Sequence, residues 1–309
     1  MVGAMNGVAR ARESDVKSSH RPARSEFVDI RGLRYHLREW GAQDAPALFL
    51  LHGWMDASAS FQFLVDALER DWRVLAPDWR GFGESEWNRD AYWFPDYVAD
   101  LDALLEAVSP GEPARLAGHS LGGNVACLYA GARPERVRCV ATLEGFGIGR
   151  TRAEQAPGRY AQWLEELRAA PEFKRYPDYE ALAKRLHKHN PRLTPERAAF
   201  LARHWGRDDG AGQVELRGDP AHRLVNPVLY RIEETLACWR AIRVPVLWVE
   251  GSESDFARWI NDTPEGWAER KAAFAGLREA VVPGAGHMLH HDQPEALARV
   301  LEPFLAEFL

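Results

Sequence analysis

The chain has 309 residues, 46% of them hydrophobic and 27% charged, with a formal net charge of −6. That length suits one α/β core carrying an insertion, with enough apolar residues for a sizeable core. The acidic balance argues against a nucleic-acid-binding protein, and no run approaches the roughly 18 apolar residues of a membrane-spanning helix.

The first 24 residues are rich in Arg, Ser, Ala and Gly and lack a continuous apolar stretch, so they read as a disordered tail, with Met5 an alternative start. Glu26–Ile30 and Leu33–Trp40 flank Gly32 as a hairpin. Ala47–Leu51 is a short apolar strand ending at His52-Gly53. Phe61–Leu68 has helical spacing, and Trp72–Ala76 is a strand stopped by Pro77-Asp78. Tyr97–Val108 is an amphipathic helix. Arg115–Gly118 is a strand, Leu121–Ala132 a helix ended by Pro134, and Val137–Leu143 another buried strand. From about Gly145 to Cys238 buried strands give way to helical patterns at Tyr160–Ala170, Tyr179–His189 and Pro195–Trp205. The sheet resumes at Val244–Glu250. A helix around Trp267–Phe274, the strand Arg278–Val282 and a closing helix from Pro294 to Leu309 complete the chain. The alternation predicts an α/β fold with a mostly parallel sheet and helices on both faces. The core spans 25–145 and 240–309, and 146–239 forms a helical cap. Cys127, Cys139 and Cys238 sit among apolar neighbours without paired spacing. They read as buried free thiols, which points to a reducing, cytoplasmic compartment.

Gly118-His119-Ser120-Leu121-Gly122 joins a predicted strand to a predicted helix. A serine on so tight a turn needs small flanking residues, and its hydroxyl is pushed out over the sheet edge as a nucleophile. The next amide, that of Leu121, starts a helix and can donate to an oxyanion. His52-Gly53-Trp54 turns out of a strand and can aim the Trp54 amide at the same oxygen. His287, after the last predicted strand, is the candidate general base. His290 and His291 stand near it as surface or cap contacts. With Asp292 they offer a metal cluster, but no second ligand set accompanies them, so no metal or cofactor is expected. His119 reads as structural, and His187, His189, His204 and His222 as cap residues.

In this order, His52-Gly53-Trp54, Asp78-Trp79-Arg80-Gly81-Phe82-Gly83-Glu84-Ser85, the Ser120 turn and Gly286-His287 resemble the α/β-hydrolase superfamily from about residue 26 to the end. The resemblance implies an eight-stranded sheet and a catalytic triad. Leu186–Leu193, Arg217-Gly218-Asp219-Pro220 and Trp239 are similar to the cap of serum-hydrolase-like proteins. Arg80 in this family is more often structural than catalytic. The triad acid commonly stands at the fourth position of Gly-x-x-Asp, but this chain reads Gly251-Ser252-Glu253-Ser254-Asp255, with serine there. Some branches carry the acid one strand earlier, where Glu144 follows an apolar run. Glu144 is therefore the favoured acid, Asp255 the alternative, with Glu250 and Glu253 behind them.

The expected reaction is hydrolysis of a small carboxylic ester through an acyl-enzyme. Carbon–carbon bond hydrolysis, perhydrolysis, or a non-catalytic ligand-binding role on the same fold are the alternatives. His52, Gly53, Phe146 and Trp93 are candidate substrate contacts. Trp54, Trp87, Phe94, Trp163, Trp205 and Trp239 are further aromatics near the site. The expected partner is a small-molecule ester, with neither nucleic acid nor membrane insertion.

Overall fold

A computed structural model describes residues 20–88, 91–169 and 171–309. Most of the expected N-terminal tail lies outside the described residues. Its last residues do not behave as a tail: His20 pairs with Asp66 at 2.5 Å, and the Arg21 amide donates to the same carboxylate at 2.7 Å.

β1 (Ala23–Ile30) and β2 (Leu33–Trp40) form the expected hairpin, with Arg31 and Gly32 both at positive φ in its two-residue turn. β3 (Ala47–Leu51), α1 (Gln62–Ala67), β4 (Arg73–Pro77) and α2 (Phe94–Val108) follow. β5 (Ala114–His119), α3 (Leu121–Ala132) and β6 (Val137–Leu143) frame the Ser120 turn. The intervening region holds α4 (Ala156–Glu166), α5 (Tyr179–His189), α6 (Pro195–Trp205), the small hairpin β7 (Gly206–Asp208) with β8 (Val214–Leu216), and α7 (Ile232–Arg240). β9 (Val246–Gly251), α8 (Phe256–Trp259), α9 (Pro264–Ala272), β10 (Arg278–Val282), α10 (Leu289–Asp292) and α11 (Pro294–Ala306) complete the chain.

The main sheet has eight strands in the order β1-β2-β4-β3-β5-β6-β9-β10. β1 and β2 are antiparallel to their neighbours, and the strands from β4 to β10 run parallel. Side chains alternate across a strand, so consecutive apolar residues feed opposite faces. On β3, Phe49 and Leu51 join the core beneath α2, α3 and α7, while Leu48 and Leu50 join the one beneath α1 and α11. This two-sided burial explains why the parallel strands read as continuous apolar runs. Because they are parallel, the carboxyl ends of β3, β5, β6, β9 and β10 open on one edge of the sheet.

Four local expectations change. α4 starts at Ala156 and ends at Glu166, earlier than the expected Tyr160–Ala170, because Pro157 sits comfortably in its first turn. Ala170 lies outside the described residues. The β7–β8 hairpin was not foreseen, since three-residue strands carry little periodicity. Nor was α7, which puts Ile232, Leu236 and Trp239 into the core against α3 although it lies within the stretch assigned to the cap. Cys127 and Cys139 are buried free thiols, but Cys238 on α7 is only half-buried.

Candidate active site

The residues singled out by the sequence converge on the carboxyl edge of the sheet. Ser120 lies between the end of β5 and the start of α3, with φ 49° and ψ −111°. This is a strained backbone for a residue with a side chain, costing about 1–3 kcal/mol. The turn is held because its amide donates to the Leu143 carbonyl at 2.9 Å and its carbonyl accepts from the Asn124 amide at 3.0 Å. α3 can pack this close to β3 only without a side chain at 122. A Cβ on Gly122 would lie 2.1 Å from the Leu51 carbonyl oxygen. Leu121 is the first residue of α3, so its amide is among those that helix geometry leaves without an intrahelical acceptor.

The loop after β3 comes to the same place. A Cβ on Gly53 would lie 2.7 Å from Nδ1 of His119 and 3.3 Å from Cβ of Ser120. Trp54 follows at once, its side chain 54% exposed. Trp54 and Leu121 line one cavity of about 430 Å³, together with Trp93, Phe94 and Trp163.

Glu144 directly follows β6. It is fully buried, at φ 55°. Its Oε1 accepts from the Gly251 amide at 2.7 Å. Its Oε2 accepts from the Ser254 hydroxyl at 2.6 Å and lies 3.3 Å from Nδ1 of His287. The His287 ring stacks parallel to Phe256 at 5.1 Å. Its backbone carbonyl accepts from Nε2 of His119 at 2.8 Å, so His287 is tied to the residue beside Ser120. Burial, reinforced by the neighbouring His290 and His287 rings, holds His119 well below the ordinary imidazole range, which keeps it neutral.

The rival acids face elsewhere. Asp255 is exposed at the start of α8. Glu250 pairs with Lys271 at 2.7 Å, and Glu253 pairs with Arg192. Of the four carboxylates, Glu144 is the one beside His287. Ser254, which holds the position where the common pattern has an aspartate, donates to Glu144 instead.

Several sequence readings are corrected. His290 and His291 are buried, not surface residues. Their carboxylate is Asp56 rather than Asp292: ligand atoms of Asp56, His290 and His291 lie within 4.8 Å of one another, a grouping able to hold a metal ion. His290 Nε2 lies 3.3 Å from Asp56 Oδ2, which also accepts from Ser60 at 3.0 Å. Asp292 turns away and accepts from the Gly286 amide at 2.9 Å and from Asn190 at 2.6 Å, anchoring the His287 loop. His52 is fully buried. Its Nδ1 donates to the Gly53 carbonyl at 2.7 Å, and its Nε2 accepts the Trp79 amide at 2.9 Å. It shapes the loop, and both its ring nitrogens are engaged within the protein. Phe146 is buried too, stacked on Trp248 at 3.8 Å. Trp239 likewise belongs to the core, Trp87 stacks against Arg207, and Trp205 lines a different cavity. Trp93 does reach the cavity, whereas Gly53 is not among its described lining residues and packs against His119 and Ser120. Arg80 is structural, bound to Asp100 through Nε and Nη2 at 2.6 Å each.

Sequence reasoning missed Ser254 as a partner of Glu144, and Tyr92, Tyr97 and Arg159 in the cavity wall. The serine in place of the expected aspartate was the one signal available. The wall residues are distant in sequence and share no motif.

Residues 46–294 match the profile of the family described as alpha/beta hydrolase fold. A serine hydrolase-like protein of Danio rerio is 30% identical over 86% of this chain and 83% of its own length. An sn-1-specific diacylglycerol lipase of Mus musculus is 26% identical, over 93% of this chain and 90% of its own. The solved thioesterase domain from the curacin biosynthetic pathway superposes with a TM-score of 0.82 at 24% identity, covering 91% of this chain and 99% of that domain. Among the described residues, no helix is long and apolar enough to cross a membrane.

Proposed function

The chain belongs to the α/β-hydrolase fold family, and on that premise we propose that it is a serine hydrolase of small carboxylic esters working through an acyl-enzyme. Ser120 attacks the ester carbonyl as His287 takes its proton. The amides of Trp54 and Leu121 stabilise the oxyanion, an effect typically worth about 10²- to 10³-fold per donor. Glu144 fixes the His287 ring and stabilises its charged form. The alcohol leaves with the proton returned by His287, and water activated by the same imidazole releases the acid. Every group in this sequence is a side chain or amide of the protein, and it calls for no cofactor.

The observation that carries the reading is the buried carboxylate of Glu144. It receives donors from Gly251 and Ser254 and faces Nδ1 of His287. A buried carboxylate is costly unless paired, and its partner here is the imidazole tied to the residue next to Ser120. The wild type and Ser120→Ala should be compared on p-nitrophenyl esters from acetate to octanoate. Wild-type turnover is expected with at least the short members. The substitution should remove it, together with labelling by a fluorophosphonate at residue 120. Turnover that survives Ser120→Ala, or none across the panel, overturns the reading.

A further inference from the structure

Among the described residues, the cavity beside Ser120 carries one charged side chain. Its described wall is largely aromatic and aliphatic, shows no Asp or Glu among the described residues, and includes Arg159 of α4. His222, also in the wall, stacks between Phe82 at 3.7 Å and Tyr92 at 3.6 Å. Burial lowers its imidazole to about 3, so it is uncharged near neutrality. Arg159 Nε donates to the Asn226 carbonyl at 3.0 Å, which orients the guanidinium. No carboxylate among the described residues forms an ion pair with it. On α4 itself, Glu166 lies two turns further along on the same face. Both Glu166 oxygens are engaged, one by Gln162 at 2.7 Å and one by the Val225 amide at 2.6 Å.

An arginine fixed through Nε, with no carboxylate partner among the described residues and set in a largely apolar pocket, is a preorganised receptor for a planar anion. We propose that Arg159 determines specificity by binding a carboxylate on the substrate, so that short anionic half-esters are preferred over neutral esters of equal length. This rests on the Ser120 hydrolase reading. The overall charge of −6 would repel such substrates, so a preference for them must come from a local cation. A cavity of about 430 Å³ accommodates a chain of a few carbons between the reacting carbonyl and the carboxylate.

The test compares p-nitrophenyl hydrogen glutarate with p-nitrophenyl pentanoate on the full chain and its Arg159→Gln and Arg159→Lys variants. The wild type should favour the anionic ester about 10-fold in kcat/KM, mainly through KM, because the interaction is remote from the reacting carbonyl. Arg159→Gln should bring the ratio of the two esters towards one, and Arg159→Lys should restore part of it. Raising the salt concentration should shrink the wild-type ratio. No preference in the wild type, or one that survives Arg159→Gln, overturns the proposal. Calorimetry with glutarate reads the anion site without turnover. If both esters are refused but glutarate binds the wild type at least fivefold more tightly than Arg159→Gln, the esterase reading fails and the anion site stands. Equal or undetectable binding in that case overturns the anion site as well.

Discussion

Glu144 is where residue identity and backbone geometry meet most tightly. It leaves β6 at positive φ, a conformation most side chains avoid, and this turns its carboxylate towards β9 and the His287 loop. Met55 and Ser120 are also non-glycine residues at positive φ, and both follow strand ends on the same edge. The other described non-glycine residues at positive φ are Arg31 in the β1–β2 turn and Asn261 just after α8. Glu144→Gln is expected to keep the fold but lower kcat by about 10²- to 10⁴-fold, because an amide cannot stabilise the charged imidazole. Asp255→Asn should stay near wild type. The reverse pattern would move the acid to Asp255. Ser254→Ala removes one donor to a buried carboxylate. Its cost should be about 1.5–3 kcal/mol, divided between a lower melting temperature and slower turnover. Ester kinetics and thermal unfolding on the same preparations separate the two. The Glu144 side of the site was legible because an acid directly after an apolar strand is conspicuous. Ser254 was legible as a departure from a pattern, but its hydroxyl's target was not, since a loop's path is not written in its periodicity.

At the scale of elements, the site is built by strand ends and the turns that leave them. β3, β6, α3, α5, α6 and β10 have the bounds expected from their patterns, because continuous apolar runs and 3.6-residue spacing are strong local signals. The tight contact between α3 and β3 makes a firm prediction. Gly122→Ala puts a methyl 2.1 Å from the Leu51 carbonyl oxygen, and backbone on both sides leaves no easy escape. The variant should lose several degrees of melting temperature and most ester turnover together. Unchanged melting would show that α3 can shift at little cost. The elements that went unread have weak or misleading local signals. The β7–β8 strands are three residues each, and α7 looks like cap helix in sequence yet buries Trp239 against the core beneath the sheet. Only the partner surface distinguishes a helix packed on the sheet side from one above it.

Across the whole molecule, buried imidazoles couple stability to pH. An ordinary histidine protonates near 6.5, whereas burial lowers His222 to about 3 and His204 to about 4. As pH falls, the unfolded chain therefore binds these protons first. The stability from neutral His222 is complete above about 6.5 and is lost progressively as pH falls towards 3, by about 1.4 kcal/mol per pH unit. Denaturant midpoints should fall between pH 7 and pH 5, and His222→Phe, which keeps a ring between Phe82 and Tyr92, should flatten that dependence. Parallel slopes for wild type and variant would remove His222 from the account.

The sequence by itself determined the alternating architecture, the Ser120 turn, the His52-Gly53-Trp54 loop and the late His287. Each depends on local periodicity, on small residues at a tight turn, or on position after a strand. The tertiary structure decided which carboxylate meets His287, that Asp56 rather than Asp292 joins His290 and His291, and that Arg159 lines the cavity with no carboxylate partner among the described residues. Those facts depend on which strand ends lie side by side and how loops from distant parts of the chain cross the sheet edge. Contacts between residues more than a hundred positions apart, such as Glu144 with His287, follow from the packing of the parallel strands and leave no periodic trace in the sequence.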